Sequence, residues 1–258
     1  MDRRDFLATG LASLACCACA RSAWAASDKR GCSLTAAEIS DVRETMKPSS
    51  GLPFAGLDEQ VLSQIVTLRD RYGLRPGAAF INDGAAINAY AVSEVLVTTG
   101  DWGGEDGTVL IGSNLLFTLF RDATAASFKR AQSFPELHLL NENGLDRLIV
   151  IAHEFGHILQ FKRGMVAGSA WQMEPHADFL AGWAIDKSNV DALFDDRDKS
   201  FENAVKLMFS MGDTAFNSPK HHGEPQFRAA MVRAGQDAQA LSAQEAFEKG
   251  AKLAGLTI

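Results

Sequence analysis

The sequence predicts an α+β fold, with a small antiparallel sheet in the first half and a mostly helical second half arranged around one helix, residues 144–162. Three observations carry that expectation. Between residues 78 and 111, short apolar runs are separated by Asp-Gly and Gly-Gly turns, as strands are. From Asn114 onward, apolar residues recur at helical spacing. With 258 residues, 47% apolar and 22% charged, the chain has the size and composition of one good-sized folded domain.

The chain opens with Arg3-Arg4, then Phe6-Leu7, a small apolar stretch from Ala8 to Ala20, and Ala23-Trp24-Ala25. A charged start, a short apolar middle and an A-x-A end make residues 1–25 an export signal, and the arginine pair gives it the twin-arginine form. The expected location is therefore periplasmic or secreted, in a bacterium. Cleavage after Ala25 removes Cys16, Cys17 and Cys19 and leaves Cys32, which excludes an intramolecular disulfide. A lipid anchor on Cys17 is the less favoured alternative, because Cys16 stands where a lipoprotein box has Gly or Ala.

The remainder divides into an N-terminal helical segment, 26–74, and a main domain, 75–258. Thr35 and Glu38 have capping-box spacing and start a helix that runs to Met46. Lys47–Gly51 breaks it. Leu57, Val61, Ile65 and Leu68 share one face of a helix over 57–72. Strands are predicted at 78–81, 87–91, 95–98 and 109–111, with a polar loop over 101–107. Further helices are predicted at 114–132, 144–162, 174–187, 198–211, 224–235 and 241–253, the last opened by a Ser242…Glu245 capping box. A net charge of −7 argues against a general nucleic-acid partner. No apolar run of 18 residues follows the first 25, so no transmembrane span is expected in the mature chain.

The chemistry concentrates in the 144–162 helix. His153 and His157 are four residues apart, so both imidazoles leave the same face, where one tetrahedral zinc ion can take both. Glu154 stands at the edge of that face, placed to act as a general base. Downstream, Glu174 and Asp178 are again one turn apart. Glu174 is the favoured third ligand and His176 the alternative. Asp178 can accept the second N–H of a ligand histidine. Pro175 fits such a helix if Glu174 begins it.

His153-Glu154-x-x-His157 followed by Glu174-x-x-x-Asp178 resembles the gluzincin zinc metallopeptidases. The detail is closest to small bacterial neutral zinc metallopeptidases, through Gly156, Ala177, Leu180-Ala181-Gly182 and the later His222-Gly223…Arg228 segment. Pro175 stands where that family usually has Leu. Asn88-Ala89-Tyr90-Ala91 is similar to a strand of membrane-linked gluzincins. The similarity covers residues 75–236. It implies a zincin-like domain, one zinc per chain on His153, His157 and Glu174, a peptide or protein substrate, and Glu154 as general base. His222 is then the first candidate for a second oxyanion donor, ahead of His221 and Tyr90. The strand with Asn88 and Tyr90 would either line the cleft or belong to the core. The alternative function is a catalytically inactive, zinc-bound binding or chaperone-like module of the cell envelope.

Overall fold

The computed structural model describes residues 34, 36–84, 88–119, 144–165, 170–186, 205 and 225–257, all within one unit spanning Gly31–Ile258. Residues 1–25, where an export signal is expected, and Cys17 with them lie outside the described residues. Among the described residues, six helices have both ends described: α1 (Ala36–Thr45), α2 (Leu57–Tyr72), α3 (Gly144–Lys162), α4 (Ala170–Ala184), α5 (Pro225–Gln236) and α6 (Ala243–Leu253). Residues 113–119 are helical as well, and the rest of the predicted 114–132 helix is outside the described residues. So is the 198–211 helix apart from Val205, which is helical and buried.

Local signals explain these elements. The apolar stripe of α2 is buried, from Leu57 through Val61, Ile65 and Leu68 to Tyr72. Gly73 then ends the helix in the left-handed region, at φ 63°, and donates its N–H to the Arg69 carbonyl. The α6 capping box forms as expected. Ser242 accepts from the Glu245 amide, and the Glu245 side chain accepts from the Ser242 amide.

The sheet is mixed rather than antiparallel. Its order is β1-β3-β2, from β1 (Gly77–Ile81), β2 (Ala89–Val92) and β3 (Thr108–Gly112). β3 lies between the others, parallel to β1 and antiparallel to β2. The physical reason lies at Asp83-Gly84, which in a simple meander would turn β1 straight into β2. Instead the Asp83 carboxylate accepts from the backbone amides of Asn114 (2.8 Å), Leu115 (2.9 Å) and Asn88 (3.2 Å). It caps the helical turn at 113–119 and leaves the place beside β1 to β3. The predicted strand at 95–98 does not form, because side chains and loop amides take its backbone groups. Leu96 N–H donates to Thr108 Oγ1 (2.8 Å), and the Val97 carbonyl accepts from Gly104 N–H (2.9 Å).

The period of two along the strands sorts the core. Ala78, Phe80, Ala91, Val109 and Ile111 face α2 and α3 in the main cluster. Ala79, Ile81, Val92 and Leu110 face α1, through Ile39 and Val42. α3 is thus covered by the sheet, α2 and α4. The Tyr72 hydroxyl donates to the Ala152 carbonyl (2.8 Å) and ties α2 to the residue before His153.

Glycines set the helix crossings. A Cβ on Gly156 would lie 3.0–3.2 Å from Ala177, so α3 and α4 cross almost backbone to backbone. A Cβ on Gly182 would run into the Val232 carbonyl, and one on Gly235 into the Phe179 carbonyl, so α4 and α5 cross as closely. One expectation needs correction: α4 begins at Ala170, so Pro175 lies inside the helix rather than in its opening position. The ring removes one N–H from the ladder, a cost of about 3 kcal/mol in an isolated helix. Here α4 is buried nearly throughout, and packing against α3, α5 and α6 offsets the loss. No helix among the described residues is long and apolar enough to cross a membrane.

Gly182→Ala tests the α4–α5 crossing. The added methyl has only the Val232 backbone to meet, so a loss of about 1–3 kcal/mol is expected. Thermal unfolding followed by circular dichroism should show the midpoint fall by about 2–4 °C per kcal/mol. An unchanged midpoint would refute so close an approach.

Candidate metal centre

Residues Ile149–Gln160 of α3 are buried except for Val150. Helical spacing puts His153 and His157 one above the other, with Nε2 atoms 3.0 Å apart. The Gly156–Ala177 crossing brings α4 against that face, and Glu174 arrives between them. Its Oε2 lies 3.3 Å from His153 Nε2 and its Oε1 3.4 Å from His157 Nε2. One ligand atom from each of the three residues falls within 4.8 Å of the others, and all three residues are buried. The group can hold a metal ion.

The Nδ1 atoms show why. His153 Nδ1 is 2.9 Å from Asp178 Oδ1, and His157 Nδ1 is 2.8 Å from Gln160 Oε1. The Asp178 carboxylate only accepts, so the His153 ring carries a proton on Nδ1, and both rings turn Nε2 towards Glu174. Two lone pairs and a carboxylate meeting in a dry core require a cation or a proton between them. His153 records this demand. Burial opposes its charged form, but hydrogen bonds to Asp178 and Glu174, and their charges, outweigh burial and hold its pKa up at about 10. A metal and a proton therefore compete for the same lone pair.

Glu174 thus stands in the group that could hold a metal ion, and Asp178 stands at His153 Nδ1. Asp178 also accepts two hydrogen bonds from Arg228, from Nε to Oδ2 at 2.6 Å and from Nη2 to Oδ1 at 2.9 Å. Arg228 Nη2 lies 3.3 Å from Glu174 Oε2. Burial raises the Asp178 carboxyl, but the Arg228 charge and the His153 hydrogen bond outweigh it and hold the group below the usual carboxylate range. Glu154 is 2% exposed, and its Oε2 has no hydrogen-bond partner among the described residues. Burial pushes its carboxyl up to about 7, against the opposing pull of His153 and His157.

His176, the alternative third ligand, is not in the group. Its Nε2 lies 3.0 Å from the Phe247 carbonyl and its Nδ1 3.2 Å from Gln160 Nε2. Burial lowers its pKa to about 4, the Phe247 hydrogen bond opposing and the His157 charge adding to the fall. Tyr90 packs with the cluster on the α1 face of the sheet, whereas α3 lies against the other face, so its side chain is turned away from the metal group. Asn88 precedes β2, accepts from Gly112 N–H (3.1 Å), and donates its own amide to Asp83. Among the described residues β2 is an outer strand of the sheet, and it packs on α3. His221 and His222 lie outside the described residues.

Gln160 and Arg228 were not anticipated as site residues. The signal for Gln160 was its place three residues after His157 on the same helix. For Arg228 it was an apolar stripe with a charge in it: Arg228, Met231, Val232 and Gly235 fall on one face of α5.

Asp178→Asn should weaken binding of a divalent metal ion by about 10- to 100-fold, because the ring of His153 loses its charged acceptor. Competition against a chromophoric chelator measures this, and an unchanged affinity would remove Asp178 from the centre.

No family model, curated protein or solved structure matches the chain.

Proposed function

We propose that the chain is an exported zinc-dependent peptidase that cleaves peptide bonds with Glu154 as general base. The observation that carries this reading is the convergence of His153, His157 and Glu174 beside a buried carboxyl raised to about 7. Two imidazole nitrogens and a carboxylate oxygen suit zinc, and three protein donors leave a coordination position for substrate or water, as catalytic sites do. The zincin resemblance of the two helix motifs agrees with the donor set. Export rests on the sequence, through Arg3-Arg4 and Ala23-Trp24-Ala25.

Bound zinc would supply Lewis acidity at a substrate carbonyl. The chain's own residues would do the rest. His153 and His157 present Nε2, each held by an acceptor on Nδ1, and Glu174 brings the negative charge. Arg228 and Asp178 fix that carboxylate and the His153 ring in place. Glu154 takes a proton from the attacking water and hands it to the leaving amine. A carboxyl near 7 suits both halves of that transfer, since it neither holds nor refuses the proton strongly. His222 is the candidate for a donor to the developing oxyanion.

Elemental analysis of the purified mature protein, wild type beside Glu174→Ala, is the direct test. About one zinc per wild-type chain, lost in the variant, is the expected result. A wild type that takes up no zinc when it is supplied would end the peptidase reading.

Glu154→Gln separates a peptidase from a zinc-bound module that only binds. The variant should keep its zinc and lose about 10²- to 10⁴-fold in peptide hydrolysis, measured on a quenched fluorescent peptide library. Hydrolysis that survives the change would exclude Glu154 as the base.

A further inference from the structure

Gln160 is completely buried one turn after His157. Its Oε1 lies 2.8 Å from His157 Nδ1, and its Nε2 lies 2.8 Å from the Met173 carbonyl and 3.2 Å from His176 Nδ1. A backbone carbonyl only accepts, so the amide nitrogen must be the group that faces Met173, and the orientation of the amide is settled. Oε1 is then the atom at His157, which must carry its proton on Nδ1. The second Nε2 proton points to His176 Nδ1, which must be bare. His176 Nε2 is therefore protonated and donates to the Phe247 carbonyl at 3.0 Å, again an acceptor only. The chain of bonds ends on a backbone carbonyl at both Met173 and Phe247, and no other placement of its protons satisfies every member.

We propose that Gln160 is a positioning residue. Clamped by Met173 and by the His176–Phe247 pair, it fixes the His157 proton on Nδ1 and so presents the Nε2 lone pair to the metal. Docking of α6 takes part in this, because Phe247 belongs to that helix. Gly250 permits the approach. A Cβ there would lie 2.9 Å from His176 Cδ2 and 2.6 Å from Phe179 Cδ1. His176 thus serves the centre from behind, as part of the clamp and not as a ligand.

This inference rests on the proposed function for the identity of the metal alone. Its test joins zinc affinity, by chelator competition, to long-range proton–nitrogen correlation spectra of the histidine rings in the full chain. Wild type should show His157 protonated on Nδ1, both metal-free and zinc-loaded. Gln160→Met, similar in volume but without the amide, should bind zinc about 10- to 100-fold more weakly. His176→Phe keeps the Gln160–Met173 bond and should lose less. Gln160→Met with wild-type zinc affinity would overturn the proposal. So would a wild-type His157 ring protonated on Nε2. If wild type binds no zinc, the peptidase reading falls, and the metal-free spectrum still decides the tautomer. If Gln160→Met does not fold, the wild-type spectra decide in the same way.

Discussion

Two imidazole lone pairs and a carboxylate face one another in the core, on residues no more than 4% exposed, and the surrounding structure is arranged to make that tolerable. Exposed, such a group would be solvated at little cost. Buried, it has to be balanced by charge and held by hydrogen bonds. Arg228 supplies one positive charge, shared between Asp178 and Glu174. Glu154 lies close by, and its raised carboxyl shows that the core does not readily accept another full negative charge. Asp178, Glu174 and a partly ionised Glu154 against one guanidinium leave a negative excess at the histidine nitrogens. A divalent cation removes it, and the strong pull of His153 for a proton is the same excess seen without one.

Such a balance needs close backbones. The site depends on α3 and α4 crossing where Gly156 meets Ala177, and on α4 and α5 crossing where Gly182 meets Val232 and Gly235 meets Phe179. The first crossing brings Glu174 to the two histidines. The second brings Arg228 to Asp178. Glutamate and arginine side chains are long enough to span wider gaps, but the observed separations of 2.6–3.4 Å are short and multiple, so little side-chain freedom remains. The metal group is fixed by three helices packed at glycine contacts, and the sheet serves as the floor under α3.

What could be read from the sequence follows from how far a residue's partner lies along the chain. The α+β class, the bounds of α2 and α3, and the α6 capping box rest on local period and local caps, and they appear as expected. The residues of the candidate centre were legible for the same reason. His153 and His157, and Glu174 and Asp178, are pairs one turn apart, and a helix makes neighbours of such pairs. The sheet order was not legible, because it depends on Asp83 capping residues 113–119 rather than turning a hairpin, a contact about thirty positions away. Arg228 was quoted in a motif but given no role, since its partner lies on α4, fifty residues earlier. Pro175 misled by a local rule that buried packing overrides.

The choice between Glu174 and His176, made in the sequence on ligand pattern, has its physical basis in the packing around α4. Two residues apart on a helix, they are about 200° apart around its axis, so the two cannot serve one metal together. The ligand pattern in the sequence already favours Glu174, although a histidine is also a good zinc donor. The decision comes from what covers each side of α4. On one side α3 brings two lone pairs, and only an anion lets a cation there approach neutrality. On the other side α6 presents the Phe247 carbonyl and Gln160 presents an amide N–H, which together suit a neutral imidazole that donates at one nitrogen and accepts at the other. A glutamate in place of His176 would face the Phe247 carbonyl oxygen, and a histidine in place of Glu174 would leave Arg228, and any metal ion bound there, with one negative charge fewer. The two residues are therefore not interchangeable, and their order along α4 follows from the order in which α3 and α6 pack against it.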